Sequence, residues 1–217
     1  MTPGPKQNNL INAVVSQIGQ DDPQRALQWV DQMSDTRAKT NALREVVGQW
    51  AQNDPAAAAN YVQSLPNSPT RDSSTQAVVS SWAQNDPASA AQWVAGLPDT
   101  AAKNVALISI ASTWANSDAT AASAWLMTVP ASSARDAAVG SFSNAVFDED
   151  PQAAYQWTQS IGDDKMRNDA EYQMLNRWAQ TDPAAAASAV QQSTLSDDRR
   201  NQILAQVARQ QQQAVSP

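Results

Sequence analysis

The chain has 217 residues, with 14 Lys or Arg against 21 Asp or Glu, a formal charge of −7 at pH 7. It contains no cysteine and no histidine, which removes disulfides, thiolate nucleophiles, cysteine-based zinc sites and the commonest general base, while the acidic balance disfavours a phosphate backbone or an anionic membrane as partner. The 42% apolar content rests largely on 41 alanines, and 25 glutamines beside only 6 glycines favour helices over sandwiches, barrels or glycine-looped nucleotide folds.

In chain order, Met1 to Pro5 shows neither a basic region nor an apolar stretch, so either there is no secretory signal or it has been trimmed. No apolar run approaches the roughly 20 residues needed to cross a bilayer. Residues 1–6 are expected to be loose. Over 7–20 the pattern predicts a capping helix, with Ile18 where later units carry tryptophan.

From residue 21 to 195 the chain repeats itself. Asp-Pro pairs at 22–23, 54–55, 86–87, 150–151 and 182–183 keep one 32-residue step, and Asp118-Ala119 fills the empty slot. A fixed period of this size, without insertions, marks a stack of repeated units. Three residues after each proline position stands Ala26, Ala58, Ala90, Ala122, Ala154 or Ala186; six after come Trp29, Tyr61, Trp93, Trp125, Trp157 and Ala189; five before come Ile18, Trp50, Trp82, Trp114, Val146 and Trp178. Apolar residues at offsets 3, 6, 7 and 10 describe one stripe of a short helix, A, and offsets 20, 23, 24 and 27 repeat it on a second helix, B. Asp then Pro supplies an N-cap carboxylate and a first-turn residue that needs no N–H donor, and Pro66, Pro98, Pro130 and Gly162 stop helix A.

Residues 196–213 predict a closing helix whose outer face is polar, with Gln206 and Gln210 at apolar offsets, and 214–217 are expected to be loose. The fold class that follows is all-α: one repeat domain over 1–217, an α-solenoid of six 32-residue αα-hairpins plus the N-terminal capping helix.

At the Trp-Ala-Gln-Asn-Asp-Pro runs of 50–55 and 82–87 the chain resembles bacterial helical-hairpin repeats of the tetratricopeptide-like and HEAT-like superfamily. Pro87, six residues ahead of Trp93, is similar to the tetratricopeptide pattern. The step is 32 rather than 34, and Trp93 is followed by Val94-Ala95-Gly96-Leu97 in place of the Leu-Gly and Tyr of that family. The resemblance implies a right-handed superhelix that holds a peptide or partner domain along one face and has no catalytic chemistry of its own.

Two rows of polar residues are candidate contacts. Sixteen residues after each proline position comes a cation: Lys39, Arg71, Lys103, Arg135, Arg167 and Arg199. Either each complements the exposed carbonyls at the end of helix A, or the six form a ladder that grips carboxylates of an extended acidic partner. Five residues after the proline, opposite the buried stripe of helix A, come Gln28, Asn60, Gln92, Ala124, Gln156 and Ser188. Amides both donate and accept, so such a row can hold a peptide backbone; solvated filler looks the same. The Trp and Tyr positions read as inter-repeat core, and the aspartate row as helix caps rather than a metal site. No metal and no cofactor is expected.

The function this favours is a non-enzymatic protein- or peptide-binding scaffold, monomeric or weakly dimeric, that takes no nucleic acid and does not insert into a membrane. The alternatives are a carbohydrate- or peptidoglycan-directed αα-toroid, enzyme or accessory module, and a structural spacer. The enzymatic alternative would need an acid such as Glu45 or Glu171 buried opposite a second acid about 5–9.5 Å away. The absence of cysteine and the scarcity of lysine suit a bacterial periplasm or envelope, though a cytoplasmic adaptor shares them.

Overall fold

The computed structural model describes residues 13, 15, 17–19 and 21–215. Among these the chain is all-helical, with twelve helices and no strand. The short A helices are α1 (Pro23–Asp31), α3 (Pro55–Ser64), α5 (Pro87–Ala95), α7 (Ala119–Thr128), α9 (Pro151–Thr158) and α11 (Pro183–Gln192). The longer B helices are α2 (Thr36–Asn53), α4 (Pro69–Asn85), α6 (Ala101–Ser117), α8 (Ser133–Val146), α10 (Asp164–Thr181) and α12 (Asp197–Val215). The A helices thus start at 32-residue intervals, at the residue after each aspartate. Most of the capping helix expected over 7–20 lies outside the described residues. Of those described there, Val15 is buried and Ile18 packs against the first core cluster. At the other end α12 continues to Val215, past the boundary expected at 213, while residues 1–6 and 216–217 lie outside the description.

At four of the five joints between a B helix and the next A helix a single aspartate stands between them; between α8 and α9 it is the last of four residues, 147–150. The Asp54 N–H donates to the Trp50 carbonyl at 2.8 Å and so closes α2, while the Asp54 carboxylate accepts the Ala57 N–H at 2.9 Å and opens α3. Asp86, Asp118, Asp150 and Asp182 repeat both bonds. Their backbone angles barely differ, from φ −138°, ψ 79° at Asp54 to φ −155°, ψ 88° at Asp118. Proline at the first helical position costs nothing here, because that N–H has no intrahelical partner in any case. The B helices have caps of their own, Asp35, Ser68, Ser132 and Asp163, each accepting from the N–H three residues on.

The chain divides into two compact units, Met1–Thr113 and Trp114–Pro217, with the division inside α6. In the first unit α1 to α5 each pack on the next in sequence, as α7 to α12 do in the second, and B helices also pack on the next B helix: α2 on α4 in the first unit, α8 on α10 and α10 on α12 in the second. The core is built of small residues, as the offsets predict. Ala26, Ala58, Ala90, Ala122, Ala154 and Ala186 are all fully buried, as are, one turn on, Val30, Val62, Val94, Leu126, Thr158 and Val190. Alanine at the first position lets the A helix approach closely, and removing even one methylene from such a contact is felt.

The tryptophans do not lie in the core as fully as the sequence suggests. Trp178 is buried; the other seven are only partly so. They pair across the aspartate joints: Trp50 with Tyr61 at 5.9 Å between ring centres and Trp82 with Trp93 at 6.1 Å in the first unit, Trp114 with Trp125 at 5.7 Å in the second. Where Val146 replaces tryptophan, Phe142, one turn earlier on α8, supplies the ring and meets Trp157 edge-on at 5.1 Å. Where Ala189 replaces it, Trp178 turns to Tyr155 at 6.3 Å.

Asp86 reports on the caps through pH. The Ser89 hydroxyl and N–H both donate to its carboxylate, which holds its pKa below the usual carboxylate value. With the folded-state pKa lowered, the stabilisation is present above the unfolded value near 3.9 and is lost as pH falls through the folded one. Asp86→Asn keeps a capping oxygen and is expected to flatten the acid limb of the stability–pH curve, while Asp86→Ala costs about 1 kcal/mol at neutral pH. Urea melts followed by circular dichroism at neutral and acidic pH check both.

Candidate functional site

Five of the six A helices, α3, α5, α7, α9 and α11, contain no charged residue; only α1 does, with Arg25 and Asp31. Apart from these two, the ionic side chains of the described residues lie on the B helices, the turns and the caps. What the A helices show to solvent is amide, hydroxyl and methyl: Gln28, Asn60 and Gln92 in the first unit and Ala124, Gln156 and Ser188 in the second are all exposed. Having Ala and Val inward and Gln outward is what an alanine-rich amphipathic helix does when its polar face has no ionic partner to find.

In the second unit the A helices stand apart and leave clefts between them. One of about 280 Å³ lies between α9 and α11. Gln152, Gln156 and Gln159 follow one another along α9 on one wall, and Ser188 and Gln192 stand on the other. Tyr155 and Trp178, both nearly buried, form part of its lining. No Asp, Glu, Lys or Arg lines it. Burial raises the pKa of the Tyr155 phenol, the charge of Glu171 raises it further, and a hydrogen bond with Gln159 opposes both; the hydroxyl points at the Ala189 carbonyl, 3.5 Å away. A second cleft of about 250 Å³ between α7 and α9 is lined by Thr120, Ser123, Ala153, Phe142 and Trp157, with Glu149 and Asp150 at its end.

The cation row is occupied locally. Lys39 Nζ reaches the Asp31 carbonyl at 3.4 Å and its carboxylate at 2.9 Å. Lys103 Nζ donates to the Ala95 and Leu97 carbonyls and to Asp99, at 3.0–3.2 Å. Arg167 donates to Ile161 and Gly162 carbonyls and pairs with Asp164. Arg135 reaches the Ser160 carbonyl at 3.1 Å, in the turn after α9. Arg199 donates to the Asn168 carbonyl at 3.1 Å, pairs with Asp169 at 2.7 Å and lies over the Tyr172 ring. Arg71 bonds the Asn67 side chain. Five of the six therefore donate to main-chain carbonyls; those met by Lys39, Lys103, Arg135 and Arg167 lie at the end of an A helix, the contact expected of a cation there, while the one met by Arg199 lies inside α10.

Two buried acids stand out, and the sequence pattern marks one of them. Glu171 is fully buried at offset 20 of helix B, where the other units carry Leu43, Thr75, Leu107, Val139 and Ile203. Its Oε2 accepts from the Thr194 hydroxyl at 3.0 Å and N–H at 3.3 Å, and its Oε1 has no hydrogen-bond partner. Asp136, on α8, accepts the Gly162 and Asp163 N–H groups at 2.9 Å each and so clamps the turn between α9 and α10. Offsets alone do not reveal that role. Glu45 is exposed and accepts from Gln49. Among the described residues no group of three or more potential ligands is placed to hold a metal, and no helix is long and apolar enough to cross a membrane.

No protein-family model, curated protein or solved structure matches the chain.

Glu171 should be costly to the fold. Glu171→Leu, which supplies the aliphatic side chain that four of the other five units carry, is expected to raise stability by about 1 kcal/mol, whereas Glu171→Ala, which leaves a cavity, is expected to lower it by about 3 kcal/mol. Denaturant titration of the two variants checks the sign of each.

Proposed function

We propose that this chain is a non-enzymatic scaffold, an α-solenoid of six helical hairpins whose A-helix surface holds a protein or an extended peptide. The observation that carries the reading is the uncharged, amide-bearing exposed surface of the A helices. A surface that served only solubility would carry mixed charges, as the B helices do, and charged residues are depleted where proteins meet. The amides offer both donors and acceptors at once, which fits the alternating groups of a peptide main chain. In this reading Gln28, Asn60, Gln92 and Gln156 are the contacts. Lys39, Lys103, Arg135 and Arg167 hold helix ends instead, since a cation already bonded to carbonyls would have to give them up to grip an acidic partner, and Arg71 would likewise have to leave the Asn67 side chain.

The enzymatic alternative loses support on one particular: Glu171 is buried, but its hydrogen bonds go to Thr194 rather than to a second acid. The lack of cysteine and the low lysine count favour an envelope location, which fractionation of the native host would check.

The test is photo-crosslinking in the native source, with benzophenone side chains placed at Gln28, Asn60, Gln92 and Gln156 and, for comparison, at Glu45 and Gln173 on the B helices. The expected result is crosslinks to a protein concentrated at the A-helix positions. Crosslinking to no protein from any of the four, with the chain folded, would overturn the scaffold reading.

A further inference from the structure

Resting on that reading, we infer that the cleft between α9 and α11 is a binding site for an uncharged, extended segment of polypeptide, its main chain held by the glutamines of α9 and an apolar side chain seated against Tyr155 and Trp178.

Charge decides the class of ligand first. None of the residues lining the cleft is an Asp, Glu, Lys or Arg. A charged side chain entering it would give up water for amides and rings, and burying an unpaired charge is far more costly than burying a hydrogen-bonded polar group. Only a segment poor in ionic residues meets this surface without that penalty.

Spacing decides the conformation. Gln152 and Gln156 on α9 and Gln159 at its C-terminal cap stand four and three residues apart, and all three are exposed. At about 1.5 Å rise per residue they are separated by roughly 6 Å and 4.5 Å along the helix axis. An extended chain repeats its outward main-chain groups every two residues, roughly 6.6–6.8 Å. One glutamine amide, with an N–H pair and a carbonyl, can meet the C=O and N–H that one residue presents on the same edge. Gln152 and Gln156 would thus serve successive repeats of a strand running along α9.

The rings decide what the segment carries. Tyr155 and Trp178 lie 6.3 Å apart with their planes inclined at 48°, an arrangement that offers an apolar side chain the edge of one ring and the face of another. The Tyr155 hydroxyl points at the Ala189 carbonyl of α11, so the ring joins the two walls of the cleft.

The experiment is selection of a phage-displayed library of random linear peptides on the full chain, followed by calorimetric titration of a selected peptide against the wild type, Gln156→Ala and Gln156→Glu. These exposed positions should leave thermal melts unchanged, and Ser188→Glu on the facing wall serves if they do not. The expected result is peptides poor in Asp, Glu, Lys and Arg, whose affinity falls about tenfold in Gln156→Ala and at least as much in Gln156→Glu. Selected peptides that bind all variants equally, or that are rich in charge, would overturn this site while leaving the scaffold reading intact. If no peptide is enriched, while chitotetraose binds and loses affinity in Gln156→Ala, the site belongs to a glycan and the inference fails. If neither binds, it fails as well, and the crosslinking experiment then decides the scaffold separately.

Discussion

An aspartate at the joint between helices governs this protein. Each aspartate from Asp54 to Asp182 donates its N–H to the helix before it and begins the next with its carboxylate. With both bonds made, the residue is confined in φ and ψ, and similar angles at every joint follow. The turn from B to A is therefore closely alike where the aspartate stands alone, before α3, α5, α7 and α11, and the residues flanking it arrive in the same relation. That is why a ring five residues before the proline position and another six after it can meet.

The aromatic pairs depend on that geometry and also show how far it tolerates substitution. When Val146 occupies the tryptophan position, Phe142 reaches the same neighbour from one turn away, and when Ala189 leaves no ring on helix A, Trp178 finds Tyr155. The joint fixes the direction of approach, and a ring anywhere on that edge of the B helix can then complete the pair. The interior varies in size as well, since Phe142, Phe147 and Leu175 are fully buried beside the alanines and valines.

Much of this is legible in the sequence. The caps, the A and B helices and the buried stripes follow from the spacing of Asp-Pro, Ala and Trp, since capping and amphipathic burial are local rules. The half-buried state of the indoles is not legible, because it depends on how far apart the A helices stand, a property of three-dimensional packing. Nor is the clamp at Asp136, whose partners Gly162 and Asp163 lie a whole unit away in sequence. The amide row can be found by offset, as Gln28, Asn60, Gln92 and Gln156 show. The cleft that makes Gln152, Gln159 and Gln192 part of the same surface is visible only once α9 and α11 are placed. Glu171 is an intermediate case: its break with the aliphatic pattern is readable, and its partner Thr194 is not.

The lack of ionic side chains on α3, α5, α7, α9 and α11 has a kinetic side. A partner held there in the proposed role would find little local charge to steer it, so encounter would be left to diffusion and orientation, at about 10⁵–10⁶ M⁻¹ s⁻¹, with a weak dependence on ionic strength. Occupancy would then be set by how long a well-fitted partner stays.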